Sequence, residues 1–129
     1  MTGLRPFLAV LALAGMPAWA DPLEGLWRTA PDVNGNVGFV RIASCGAALC
    51  GTLERAVDGS GRAVASAGIG RRVIWDTVPQ GANTYRGRVY SPGRNAEYLS
   101  RLTLSGGRLL VEGCMLGQCR GGEPWARVD

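Results

Sequence analysis

Eight short runs of alternating apolar and polar residues dominate this chain, each bounded by glycine, asparagine or proline. Side chains on an extended strand point to opposite faces in turn, so this period fits strands with one face on a core. The runs fall at 24–29, 37–44, 49–55, 72–77, 84–90, 96–104, 108–113 and 125–128. Turn-forming stretches separate them: Pro31 to Asn36, where Asn34-Gly35 supplies positive φ, then Gly46-Ala47-Ala48, Pro79 to Asn83, Ser91 to Asn95 and Gly106-Gly107. No stretch after residue 20 carries helical periodicity. The expected fold is all-β, an eight-stranded antiparallel up-and-down barrel with little or no helix. Closure removes exposed strand edges. Eight strands leave an interior that side chains fill or that holds one small ligand. A two-sheet sandwich is the rival arrangement.

Two stretches stand outside this pattern. Residues 56–70 are small and glycine-rich and read as a long loop. Cys114 to Pro124 reads as a loop pinned by its cysteines, and Pro124 cannot donate to a ladder, so the last strand starts at or after it.

The first 20 residues read as a cleaved export signal. Arg5 gives the positive start, Pro6 to Gly15 the apolar run, and Ala18-Trp19-Ala20 the small-x-small cleavage site. A membrane-spanning helix needs about 20 apolar residues, and this run is shorter and broken by Pro6, Gly15 and Pro17. Cleavage after Ala20 leaves residues 21–129 as one barrel domain, periplasmic or secreted.

The four cysteines form two matched pairs, Cys45/Cys50 and Cys114/Cys119, each enclosing four residues. In an exported chain they read as disulfides. Three connectivities are open; the two local bridges are favoured because each pair spans an expected hairpin loop. A four-cysteine zinc site is the alternative, at spacings wider than zinc sites use. With Cys45 and Cys50 facing each other, Arg41, Thr52 and Glu54 share their side, and Val40, Ile42, Leu49, Gly51 and Leu53 turn inward. Disulfide and alternation thus require the same register.

Every basic residue is arginine, and without the leader 13 arginines stand against 10 acids. They are scattered rather than striped, which argues against nucleic-acid binding. Histidine is absent, which removes histidine triads, histidine metal sites and the usual pH switch. Asp76 and Glu97 are the only acids on the central strands, with no spacing that pairs them for glycosidase chemistry. Gly68-Ile69-Gly70 does not open a helix, so it is not a dinucleotide fingerprint. The expectation is a protein that is not an enzyme, with no cofactor and no metal, and a monomer.

Gly25-Leu26-Trp27 resembles the first-strand signature of calycins, the lipocalins and their relatives. The resemblance implies a tryptophan at the closed end of the barrel, met by an arginine from the last strand, here Trp27 and Arg127. A wider match takes in Cys-Gly-x-x-Leu-Cys-Gly at Cys45 to Gly51, Gly87-Arg88-Val89-Tyr90-Ser91-Pro92, Tyr98, Leu109 to Gly113, and Trp125-Ala126-Arg127-Val128. It is similar to a family of small exported bacterial proteins of unknown function with a lipocalin-like barrel. That resemblance implies fold and envelope location and no activity. The 55–72 region is shorter than the family leads one to expect.

Gly25, Trp27 and Arg127 are the candidate barrel closure, with a cation–π contact between the last two. Trp27, Trp75, Tyr85 and Tyr98, with Tyr90, are the candidate lining of an aromatic cavity, and Arg101 or Arg86 its anion anchor. Ordinary packing is the competing reading for all of them. The expected ligand is a small apolar or aromatic molecule. The alternative is a filled barrel that meets an envelope protein, as an enzyme inhibitor or interaction module, through an exposed apolar loop such as Met115-Leu116-Gly117.

Overall fold

The computed structural model describes residues 20–129; residues 1–19, which hold all but the last residue of the expected export signal, lie outside them. Among the described residues nine strands form one antiparallel sheet: β1 (Gly25–Arg28), β2 (Val37–Cys45), β3 (Ala48–Val57), β4 (Arg72–Gly81), β5 (Thr84–Ser91), β6 (Ala96–Ser105), β7 (Arg108–Met115), β8 (Gln118–Gly121) and β9 (Trp125–Arg127). Strands β1 to β7 follow one another as a meander, with β6 paired to β7. The sheet then closes on itself. Arg108 and Leu109 of β7 pair with Ala126 and Trp125 of β9. Trp27 of β1 pairs with Arg127 of β9. Strands β1 to β7 with β9 therefore form the eight-stranded barrel that the alternating runs require. No helix is found among the described residues.

The ninth strand corrects the reading of residues 114–124 as a loop. Strand β8 folds back on the far half of β7, with Glu112 opposite Gly121 and Cys114 opposite Cys119. Its sequence, Gln-Cys-Arg-Gly, has no apolar alternation to betray a strand. Hairpin pairing across the disulfide holds it instead. Strands β8 and β9 thus share one stave, β9 at the lower end of β7 and β8 at the upper.

Both cysteine pairs are local disulfides, Cys45–Cys50 and Cys114–Cys119. The first lies on the outer face of β2 and β3, and Val40, Ile42, Leu49 and Leu53 are buried on the inner face. The inner and outer faces agree with the expectation, but the register does not put the cysteines directly opposite: Cys45 pairs with Ala48 and Cys50 with Ala43, so the bridge is diagonal. No thiolate is left for zinc.

Strand β4 breaks the alternation. Leu49 pairs with Thr77 and Gly51 with Ile74, so one residue of β4 is extra. The extra residue makes a bulge, with Asp76 at φ 50°. Ile74 and Thr77 both point inward and are fully buried. Trp75 turns out, opposite Arg88 of β5.

The fully buried side chains gather toward one end, and the cluster thins along the barrel to Leu53. Leu23, Trp27, Ile42, Ile74, Tyr85, Leu102, Leu104 and Leu109 are buried at that end. A turn at Asp21–Glu24, closed by the Glu24 amide on the Asp21 carbonyl (2.9 Å), drops Leu23 into that end as a plug. Fully burying a large apolar side chain contributes about 1.5–3 kcal/mol, so this layer supplies much of the driving force for folding. Above it the inward positions become smaller or wider apart: Gly87 and Val89 on β5, Ser100 and Tyr98 on β6, Val111 and Gly113 on β7. Ser100 is buried and its hydroxyl has no partner.

Candidate functional site

The closed end is built around Trp27. Its indole N–H donates to the Leu23 carbonyl (3.0 Å), which ties the plug to β1. The Arg127 guanidinium sits 4.3 Å from the ring centroid. It also donates to the carbonyls of Glu24 (3.0 Å) and Pro22. One arginine therefore satisfies the backbone of the plug and covers the indole, which a lysine with one point charge could not do. Gly25 makes the approach possible. Its φ is 136°, and a Cβ there would lie 2.7 Å from an Arg127 nitrogen and 2.8 Å from the Asp129 carboxylate. Gly25, Trp27 and Arg127 are thus brought together as the closure the motif predicts.

Tyr85 belongs to the same end. It is buried, and its hydroxyl donates to the Asp21 carboxylate at 2.6 Å. Burial, reinforced by that carboxylate, raises its pKa well above the usual phenol value. At the C-terminus, the Asp129 carboxylate accepts from the Leu26 amide (2.8 Å) and meets Arg41 (3.3 Å). The amide bond above all lowers the pKa of Asp129.

The opposite end is hollow. A cavity of about 1190 Å³ opens to solvent between the β1–β2 loop, the 58–71 loop, the β5–β6 turn and the β7–β8 hairpin. Leu53, Val89, Tyr98, Val111 and Trp125 form its apolar wall. Val64, Ala65 and Ser66 bring the long loop to its rim. That loop is held by a bridge between Val57 and Ala63 and by the Gly70 amide on the Leu53 carbonyl (2.7 Å). Gly113 leaves room for Tyr98: a Cβ there would stand 3.3 Å from Tyr98 carbons.

Of the aromatic and arginine residues expected to line a cavity, Tyr98 does so, together with Tyr90 at the rim. Trp27 and Tyr85 lie below it, in the core. Trp75 is on the outer wall because of the Asp76 bulge. Arg101 is also outside. It alternates with the inward Ser100 and Leu102, and its guanidinium pairs with Glu112 across the ladder (3.0 Å). Arg86 is its outer-face neighbour on β5. The ring of Tyr90 is covered by Arg71, 3.6 Å from its centroid, and its hydroxyl donates to Asn95 (2.7 Å).

Trp125, Arg94 and Arg120 border the cavity without having been singled out for it. The alternation of β7 placed Val111 inward, but the unrecognised strand β8 hid Arg120. Asp76 and Glu97, the acids weighed for catalysis, stay on the outside; Glu97 faces Arg71 at 3.9 Å. The carboxylate at the cavity, Asp32, is occupied by its own turn, accepting from the amides of Asn34 (2.8 Å) and Asn36 (3.0 Å).

A meander closed by a first-strand tryptophan under a last-strand arginine, plugged at one end and hollow at the other, defines a lipocalin-like barrel. The chain belongs to the family described as "uncharacterized protein conserved in bacteria" (DUF2147), whose model matches residues 25–127. Among solved structures, its fold is similar to protein HP1028 from the human pathogen Helicobacter pylori, described as belonging to the lipocalin family. The TM-score is 0.64, the identity 15%, and 83% of each chain is covered. At that identity the likeness concerns the fold alone. No curated protein matches the chain.

Proposed function

We propose that this protein is an exported, monomeric binding barrel, without catalytic activity, that holds one small apolar or aromatic molecule at its open end in the periplasm. The cavity is the observation that carries the reading. Ligand sites in proteins typically span about 300–1,000 Å³ and are mostly apolar, and this one, about 1190 Å³, is walled by Leu53, Val89, Tyr98, Val111 and Trp125. The leader-like first 20 residues and two disulfides, which persist in oxidising compartments, support export. The absence of histidine and the outward placement of Asp76 and Glu97 support a non-enzymatic role.

The interaction reading draws on the hairpin tip, where Leu116 is 97% exposed beside the exposed Met115. It also calls for a filled barrel, and the hollow upper half counts against that.

Native mass spectrometry of the protein from a periplasmic preparation tests the proposal. The expected result is a chain beginning at Asp21, four hydrogens lighter than its reduced form because of the two disulfides, carrying a small species lost on denaturation. Added apolar ligand should quench Trp125 fluorescence, and Trp125→Phe should abolish that signal. A bare protein that also leaves Trp125 unperturbed by any apolar probe would overturn the binding reading.

A further inference from the structure

We infer that the ligand is an amphipathic anion, and that Arg94 and Arg120 bind its charged head at the mouth while its apolar body lies in the barrel. The inference rests on the cavity reading above and adds the chemistry of the head group.

These are the two arginines that border the cavity. They come from different elements, Arg94 from the β5–β6 turn and Arg120 from β8. The hairpin register turns Arg120 toward the cavity. Cys119 pairs with Cys114, which is opposite the exposed Leu99 of β6 and so lies on the outer face. Its neighbour Arg120 must take the inner face, opposite Gly113, where there is no side chain to block it.

Neither guanidinium has a carboxylate partner among the described residues, whereas Arg41, Arg71 and Arg101 each do. Asp32, the one carboxylate on the same cavity lining, spends Oδ1 on two amides of its own turn and keeps its single negative charge. The mouth therefore holds two arginines, neither in an ion pair, against one carboxylate, an excess of positive charge above an apolar wall. A neutral apolar ligand would leave that excess unmatched. A carboxylate or phosphate monoester on an apolar tail would satisfy the rim and the wall together, through charge-assisted hydrogen bonds that arginine makes with both groups.

The test compares three probes with one apolar tail: dodecanoate, dodecyl phosphate and dodecanol, titrated into the protein with Trp125 as reporter. Both anions should bind at least about tenfold more tightly than the alcohol at low salt, as expected when charge-assisted contacts add to tail burial. Raising the salt should narrow the gap. The double variant Arg94→Gln/Arg120→Gln should bind the anions about tenfold more weakly and the alcohol unchanged, and Arg94→Lys/Arg120→Lys should keep part of the preference. Circular dichroism of each variant verifies that the barrel is intact. A stronger response to dodecyl phosphate would assign a phosphate head, and to dodecanoate a carboxylate head. Equal binding of anions and alcohol, or a preference that survives in the glutamine variant, would overturn the head-group inference while the cavity reading stands. Binding of none of the three would overturn both.

Discussion

Gly25 is a single hydrogen atom that lets the barrel close. Any larger residue meets both a backbone in the positive-φ region and the Arg127 and Asp129 side chains at under 3 Å. Gly25→Ala should lower stability by about 1–3 kcal/mol, the scale of a strained backbone residue, read as a drop in the urea midpoint. Tyr85 gives the closed end a pH dependence. Its folded pKa is raised above the unfolded value of about 10, so the fold favours the protonated phenol. That contribution is complete below pH 10 and is lost as pH rises beyond it. Urea midpoints should fall above about pH 10 in the wild type, and Tyr85→Phe should flatten that fall. Ser100 makes the opposite case: its buried hydroxyl lacks a partner. Ser100→Ala should cost nothing or raise stability by up to about 1–3 kcal/mol, because an unsatisfied buried donor is removed with little volume.

At the scale of elements, the β7–β8 hairpin depends most on a covalent link. It has few apolar contacts of its own; Met115 and Leu116 point to solvent, and Leu116 adopts a φ of 52°. Sequence separation 5 between Cys114 and Cys119 corresponds to a loop-entropy contribution of about 2 kcal/mol. Replacing both cysteines by alanine should leave most of the barrel folded and raise hydrogen exchange in 112–121, because the remaining pairing is one short ladder. Ligand affinity should fall in the same variant, since that hairpin carries part of the cavity rim. Uniform exchange across the whole barrel would contradict this division.

The whole molecule separates stability from binding along the barrel axis. Core side chains gather around Trp27, and the opposite end is left hollow. A substitution at each end should therefore report on one property. Trp27→Ala should cost about 3–5 kcal/mol, as for other large core truncations, and lower the melting temperature. Val111→Trp, directed into the open cavity, should cut binding of apolar probes at least about tenfold by occupying the space while changing the urea midpoint far less. Equal stability losses from the two would mean that the upper half is not the open space described.

The sequence by itself determined the period of the strands, the inner faces of β2 and β3, the two disulfides and the Trp27–Arg127 closure. All but the last follow from local rules: alternation fixes the faces, turn residues fix the breaks, and cysteines close in sequence across a short hairpin favour local bridges. The Trp27–Arg127 closure joins the two ends of the chain and was implied only by the family resemblance of Gly25-Leu26-Trp27. What lines the cavity was decided by the tertiary structure. A one-residue bulge at Asp76 moved Trp75 to the outer wall, and period-two pairing with Glu112 kept Arg101 there. Trp27 and Tyr85 are inward but too low, because height along a tilted, closed sheet depends on pairings between distant segments. Arg94 and Arg120 reach the mouth, and Trp125 the cavity wall, for the same reason. Alternation states which face a residue takes; only closure states which end of the barrel it occupies.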